Sequence, residues 1–280
     1  MAWGCCAALR KRAALLLSGP KIALVPEFNP NTPSVARVYD YVLGGKDNYA
    51  ADREVADRLL AIVPLIADMA VENRQFLSRA ATWAANQGIS QFIDLGCGLP
   101  TTPNTHQSVQ AITSSARVAY IDNDPVVIRH LQALFAHGNP GVSVVEADVT
   151  DVSTVLKGVR ASLDLSVPAC LLVGYLLHFH PADAARDLVA EYAAALAPGS
   201  CVVLSVLHYD GDAADEGQRT YSSEVASLYM HELTELAGFF GPLELVPPGV
   251  VDVRQWHQDR EPDTLAPRAG FVLAGVARKR

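Results

Sequence analysis

From Gln91 onward the chain predicts an α/β fold with a doubly wound, mainly parallel sheet, and three observations carry that prediction. Short β-branched runs alternate with helical segments, the pattern of successive βαβ units. The runs are apolar on both faces, as strands covered by helices on both sides must be. Helix-start signals stand directly after strand ends. The strand candidates, in order, are Gln91–Leu95, Arg117–Asp122, Val142–Glu146, Ala169–Val173, Ser200–Leu207, Leu243–Val246 and Gly270–Ala277. Thr102-Pro103 is expected to open the helix after the first strand. Asp124-Pro125 pairs a capping carboxylate with a proline at the first helical position, and Gly138 stops that helix. His180-Pro181 opens another, which ends at Pro198-Gly199. Before the sheet the pattern is helical over Asp52–Ile62 and Ala67–Asn86, broken at Pro64. The expected organisation is a leader over 1–26, a helical cap or lid over 27–90, and the α/β unit over 91–280, the last two forming one compact body.

Composition narrows the function classes. Half of the 280 residues are hydrophobic and 19% are charged, which excludes a disordered or low-complexity chain. The net charge of −8 gives no electrostatic footprint for duplex nucleic acid, so none is expected as a partner. The longest apolar run, Ala169 to Leu177, is nine residues, too short to cross a bilayer. The five cysteines, at 5, 6, 97, 170 and 201, form no C-x-x-C pair. Free thiols in a reducing cytoplasm are the expectation, with no metal site. Arg10-Lys11-Arg12 precedes an apolar stretch of five residues, shorter than a signal-peptide core, so residues 1–26 read as a poorly ordered leader.

In a doubly wound sheet a ligand sits at the carboxyl ends of the strands, so the residues that end strands are the informative ones. The first strand ends in Asp94-Leu95-Gly96-Cys97-Gly98, where glycines permit a tight turn and close backbone approach. A dinucleotide fingerprint needs a third glycine at 101, and Thr101 stands there. An acid at Asp94, at the end of an apolar strand, repels a pyrophosphate and attracts an ammonium or sulfonium. The second strand ends at Asp122, placed to accept both hydroxyls of a ribose, with Asn123 beside it and Asp124 as the helix cap. The third leads into Asp148 and Val149, where Asp148 can accept from an adenine amino group. Together these acids describe a pocket for a nucleoside bearing positive charge.

Asp94-Leu95-Gly96-Cys97-Gly98, Asp122 and Asp148 resemble the successive motifs of Rossmann-like S-adenosylmethionine-dependent methyltransferases. The longer string from Pro33 to Arg53 is similar to the opening of an actinobacterial S-adenosylmethionine-dependent methyltransferase family, formerly a domain of unknown function. So are Gly98–Thr101, Tyr120–Pro125 and Leu177-His178-Phe179. The resemblance runs from about Pro30 to Arg278. It implies the methyltransferase sheet of seven strands, with the last inserted antiparallel beside the fifth, S-adenosylmethionine as cofactor, and no settled acceptor. Two departures stand out: residues 1–29 are extra, and Gln107 replaces an acid after His106.

With that resemblance, Gly44-Gly45 and the tyrosines Tyr39, Tyr41 and Tyr49 are expected in a cofactor lid, and Arg53 or Arg74 to pair the methionine carboxylate. His178, after the fourth strand, is the candidate general base, at the edge where the transferred methyl must point. His180 is read as a cap or loop residue, and His208 and Tyr209 as acceptor-pocket lining. His231 and Glu235 are read as one solvated helix face. The leading function is methyl transfer to a small-molecule acceptor. The alternatives are a catalytically idle nucleoside-binding regulator and an NAD-dependent oxidoreductase, the latter disfavoured by Asp94 and Thr101.

Overall fold

Alternation of apolar residues along each strand builds the molecule from the centre outward. The computed structural model describes residues 28–135, 138–208, 211–256 and 272–280. The expected leader, Cys5, Cys6, Tyr209 and the start of the last strand at Gly270 lie outside them. Three helices come first: α1 (Val35–Val42), α2 (Ala50–Ile62) and α3 (Ile66–Asn86). The α/β unit then runs β1 (Gln91–Leu95), α4 (Thr105–Gln110), β2 (Arg117–Asp122), α5 (Pro125–Phe135), β3 (Val142–Glu146), α6 (Val152–Arg160) and β4 (Cys170–Gly174). A single 3-10 turn over Leu177–Phe179 leads to α7 (Ala182–Ala195) and β5 (Cys201–Leu207). Last come α8 (Asp212–Glu224), α9 (Leu233–Phe239), β6 (Glu244–Leu245), β7 (Val251–Asp252) and β8 (Val272–Arg278).

The sheet order is β3-β2-β1-β4-β5-β8-β6, with β7 paired to β8. The first five strands are parallel, and β8 inserts antiparallel beside β5, as the resemblance implied. The described strands number eight rather than the expected seven, because two-residue β7 is too short to leave a period-2 pattern in sequence. The expected strand Leu243–Val246 shrinks to Glu244–Leu245, since Pro247 and Pro248 cannot donate to a ladder. The helix expected at Thr102-Pro103 opens later, under Asn104, whose backbone N–H donates to Gln107 Oε1 at 2.7 Å. Gln107 therefore does the capping work of the acid it replaces.

Neighbouring residues on one strand serve opposite cores. Ile93, Leu95 and Ile121 point to the face covered by α6, α7 and α9. Phe92, Val118 and Tyr120 point to the face covered by α3, α4 and α5, where Phe76, Ala80 and Ala84 of α3 are fully buried. A third, smaller core joins α1, α2 and α3 through Val38, Val55, Ala56 and Leu59, with Tyr221 of α8 packed against it. This helical layer lies over the strand ends, because β1 has β2 on one side and β4 on the other and its carboxyl end opens at the switch point. No helix among the described residues is long and apolar enough to cross a membrane.

Candidate active site

A cavity of about 590 Å³ occupies that switch point. Its floor is the strand ends: Asp94, Gly96, Cys97 and Gly98 from β1, Asp122 to Pro125 after β2, Asp148 and Val149 after β3, and Gly174 to Leu176 with His178 after β4. Its roof comes from α1, α2, α3 and α8. The glycines of the β1 turn are structural requirements. Gly96 and Gly98 sit at φ of +61° and +66°, and a Cβ on Gly96 would meet Leu176 Cδ1 at 2.9 Å.

The turn's backbone holds the second acid. Gly98 N–H donates to Asp122 Oδ2 at 2.9 Å, and Asp124 N–H donates to Oδ1 at 2.9 Å. Cys97 Sγ lies 4.0 Å from Oδ2 as a further, weak donor. Burial pushes the Asp122 carboxyl up to about 6, opposed by those backbone hydrogen bonds and aided by the charge of Asp124. Asp94 is also buried and raised by desolvation, while Thr105 donates its hydroxyl to Oδ2 at 2.7 Å. Asp148 is exposed and held low by Thr150, which donates both its hydroxyl and its N–H to Oδ1. Asn123 Nδ2 donates to the other oxygen of Asp148 at 3.4 Å.

Arg74 comes from α3 and leans over the turn. Its guanidinium lies 5.3 Å from the ring centroid of Tyr39 and donates from Nη2 to Cys97 O at 3.3 Å. Its Nε is buried with no hydrogen-bond partner. Arg53, the other candidate, is spent outside, donating to Asn48 O at 3.0 Å.

Four residues expected in the lid, Tyr41, Gly44, Gly45 and Tyr49, lie outside the cavity wall, Tyr49 being exposed with its ring against Phe28. Tyr41 does not line the cavity; its hydroxyl donates to Asp57 at 2.9 Å on the outer side. The cause is helical geometry, since two residues on a helix point some 200° apart and Tyr39 takes the inward place. Gly44 and Gly45 do not reach the cavity either. Their loop wraps Asp40, which accepts from Asp47 N–H and Asn48 Nδ2, and a Cβ on Gly45 would fall 2.0 Å from Asp40 Oδ1. The glycine makes room for the chain's own carboxylate.

His178 lines the cavity. It is 2% exposed, and burial lowers its pKa to about 3, with His231 and His180 adding to the shift. Leu207 N–H donates to His178 Nδ1 at 3.4 Å, so the neutral ring carries its proton on Nε2 and offers a donor. His231 is corrected too. It precedes α9, is buried, and its Nε2 meets Leu177 O at 3.2 Å, with Glu235 3.6 Å from Nδ1. His180 precedes α7, for which Pro181 is the N-cap.

Other side chains complete the cavity. Tyr175 holds φ of +54°, rare for a side chain of its size, and its N–H donates to Ser205 O at 3.1 Å. Asn73, buried on α3, accepts from Ser205 Oγ at 2.6 Å. Ser34 Oγ donates to Asp124 Oδ2 at 2.8 Å and so ties the start of α1 to the end of β2. Helix α8, which brings Gly217, Gln218 and Tyr221, is polar overall and gave no clear apolar stripe.

These features define a Rossmann-like α/β protein with an acidic, helix-roofed cavity at the switch point. The profile of the S-adenosyl methyltransferase family matches residues 23–280. The chain is 38% identical to a Thermobifida fusca protein of known structure with a provisional methyltransferase assignment, covering 92% of this chain and 99% of that one at a TM-score of 0.86. It is 33% identical to a DUF574 family protein from Streptomyces avermitilis, covering 89% and 98% at a TM-score of 0.84. No curated protein matches it significantly. The chain belongs to the S-adenosyl methyltransferase family.

Proposed function

We propose that the protein binds S-adenosylmethionine across the strand ends and moves its methyl group to a small-molecule acceptor under the helical roof. The observation that carries this reading is one cavity wall bearing Asp94, Asp122 and Asp148 in strand order, with the guanidinium of Arg74 over the β1 turn beside them. The residues suit the ligand group by group. Asp122 has acceptor positions for both ribose hydroxyls, Asn123 and Asp148 suit an adenine edge beside the apolar Val149, and Asp94 suits the ammonium. Arg74 supplies a charge-assisted donor for the carboxylate. The glycines of the β1 turn let the backbone approach.

S-adenosylmethionine, when bound, supplies an electrophilic methyl on a sulfonium sulfur. The protein's part is alignment and exclusion of water, which contribute most to a displacement that needs little covalent help. The roof of α1, α2 and α8 encloses the acceptor, and residues 27–90 act as its cap. His178 offers a hydrogen-bond donor at the reacting edge. The lining continues beyond the strand ends onto α1, α2 and α8, and a wall on that side suits an acceptor beside the cofactor, which favours turnover over mere sensing. Asp94 disfavours a nicotinamide dinucleotide. Parallel calorimetric titrations test the reading: S-adenosylmethionine is expected to bind with one-to-one stoichiometry and NAD not at all. Binding of NAD alone would overturn it.

A further inference from the structure

Beyond the strand ends the cavity is walled by side chains of a different character. Those contributed by α1, α2 and α8 include Val42, Leu59, Val63, Gly217 and Tyr221, and among the described residues these helices place no acidic or basic side chain in the wall. The polar groups nearby turn to the protein itself. Gln218 Nε2 donates to Leu228 O at 2.7 Å, Tyr39 OH to Ala70 O at 3.1 Å, and Tyr175 OH to Met69 O at 3.3 Å. A charged or sugar-like acceptor placed here would lose its hydration and gain no counter-charge.

Five rings cross this chamber in a continuous row from α1 to α8. Successive centroids are 5.7 Å apart for Tyr39–Tyr175, 5.2 Å for Tyr175–His178, 4.5 Å for His178–Phe179 and 6.1 Å for Phe179–Tyr221. All five line the cavity. The row includes Tyr175 in its left-handed conformation, a cost that the fold sustains at this place. Flat apolar ligands gain most from such a wall.

We infer that the methyl acceptor is a neutral, planar aromatic molecule whose nucleophile is an acidic heteroatom, a phenol-type hydroxyl, laid against this row; the inference rests on the methyltransferase reading. The histidines beside this row, His178 and His180, are both lowered by burial, so the nucleophile ionises by its own acidity, and its anion finds its counter-charge in the sulfonium of the cofactor. The phenolic proton leaves to water, the oxygen lone pair forms the bond to the methyl carbon, and the carbon–sulfur bond breaks with its pair retained on sulfur. His178 Nε2–H donates to the phenolate.

Fluorescence titration with 2-naphthol and 2-naphthoate, on full-length protein saturated with S-adenosylhomocysteine, tests this without turnover. Saturable one-to-one binding of 2-naphthol is expected, at least about tenfold tighter than 2-naphthoate. Ala226→Trp fills the chamber from its half-buried rim and should weaken 2-naphthol at least about tenfold while leaving S-adenosylhomocysteine affinity unchanged. Phe179→Ala, which removes one ring of the row, should weaken it about 3- to 10-fold. Equal affinity for the two probes, or 2-naphthol binding indifferent to both variants, overturns the inference while the cofactor site stands. Failure of wild-type protein to bind S-adenosylhomocysteine overturns the methyltransferase reading, and this inference with it.

Discussion

Asp122 is the residue on which the proposed cofactor site turns, and its burial would make binding depend on pH. Its folded-state pKa is raised to about 6, so the carboxylate takes up a proton as pH falls through that value. The anion that can accept from two ribose hydroxyls is complete above pH 6 and lost below it. Affinity for S-adenosylhomocysteine should therefore fall about tenfold per pH unit below 6, and Asp122→Asn should remove that component. A wild-type profile no steeper than that of the variant would sink the ribose assignment. His178 carries the opposite lesson. Its place on the cavity wall was legible from the strand order, but its lowered pKa was not, because the groups packed around it come from β5 and from His231, distant in sequence. An NMR titration should find its ring neutral above about pH 4; protonation near pH 6.5 would restore it as a candidate base.

At the scale of elements, the helical cap is held by a few buried polar contacts. Arg37 and Asp52 form an ion pair at 3.0 Å with both side chains almost fully buried, and Asp52 also accepts from Ser34 N–H and Tyr49 N–H. Asp52→Ala leaves Arg37 charged and unpaired, and should cost about 3–5 kcal/mol in urea denaturation, since a broken buried pair costs about that much. A loss under 1 kcal/mol would mean the cap contributes little to the cooperative fold. The exposed pair Arg58–Glu224, which links α2 to α8, should by contrast contribute no more than about 1 kcal/mol. If residues 35–53 close over bound ligand, their amides should exchange more slowly with S-adenosylhomocysteine present; equal protection would make them a fixed wall. The β-strands and α5 were readable because apolar runs and a Pro-capped start are local signals. The inward side of α1 and the whole of α8 were not. Tyr39 faces the cavity and Tyr41 faces away only because α1 docks on α3 in one orientation, and α8 approaches closely at Gly217, whose added Cβ would lie 3.1 Å from Val63, the residue that ends α2.

For the whole molecule, topology explains why acids spaced across more than fifty residues of sequence meet in one cavity. Parallel strands bring successive carboxyl ends to the same edge, and the reversal between β2 and β4 around β1 opens the crevice there. The fold and the acidic floor were therefore visible in the sequence, whereas the roof, uncharged where α1, α2 and α8 line it, depends on how separate helices pack. The claim that joins the two is that the floor binds S-adenosylmethionine. Calorimetry with its product, S-adenosylhomocysteine, on wild-type and Asp122→Ala protein tests this most directly. The account predicts one-to-one binding by the wild type and a loss of about 1.5–3 kcal/mol for each ribose bond removed in the variant, roughly a 10- to 150-fold weakening for one bond. Absence of binding by the wild type, or equal affinity in the two proteins, would contradict it.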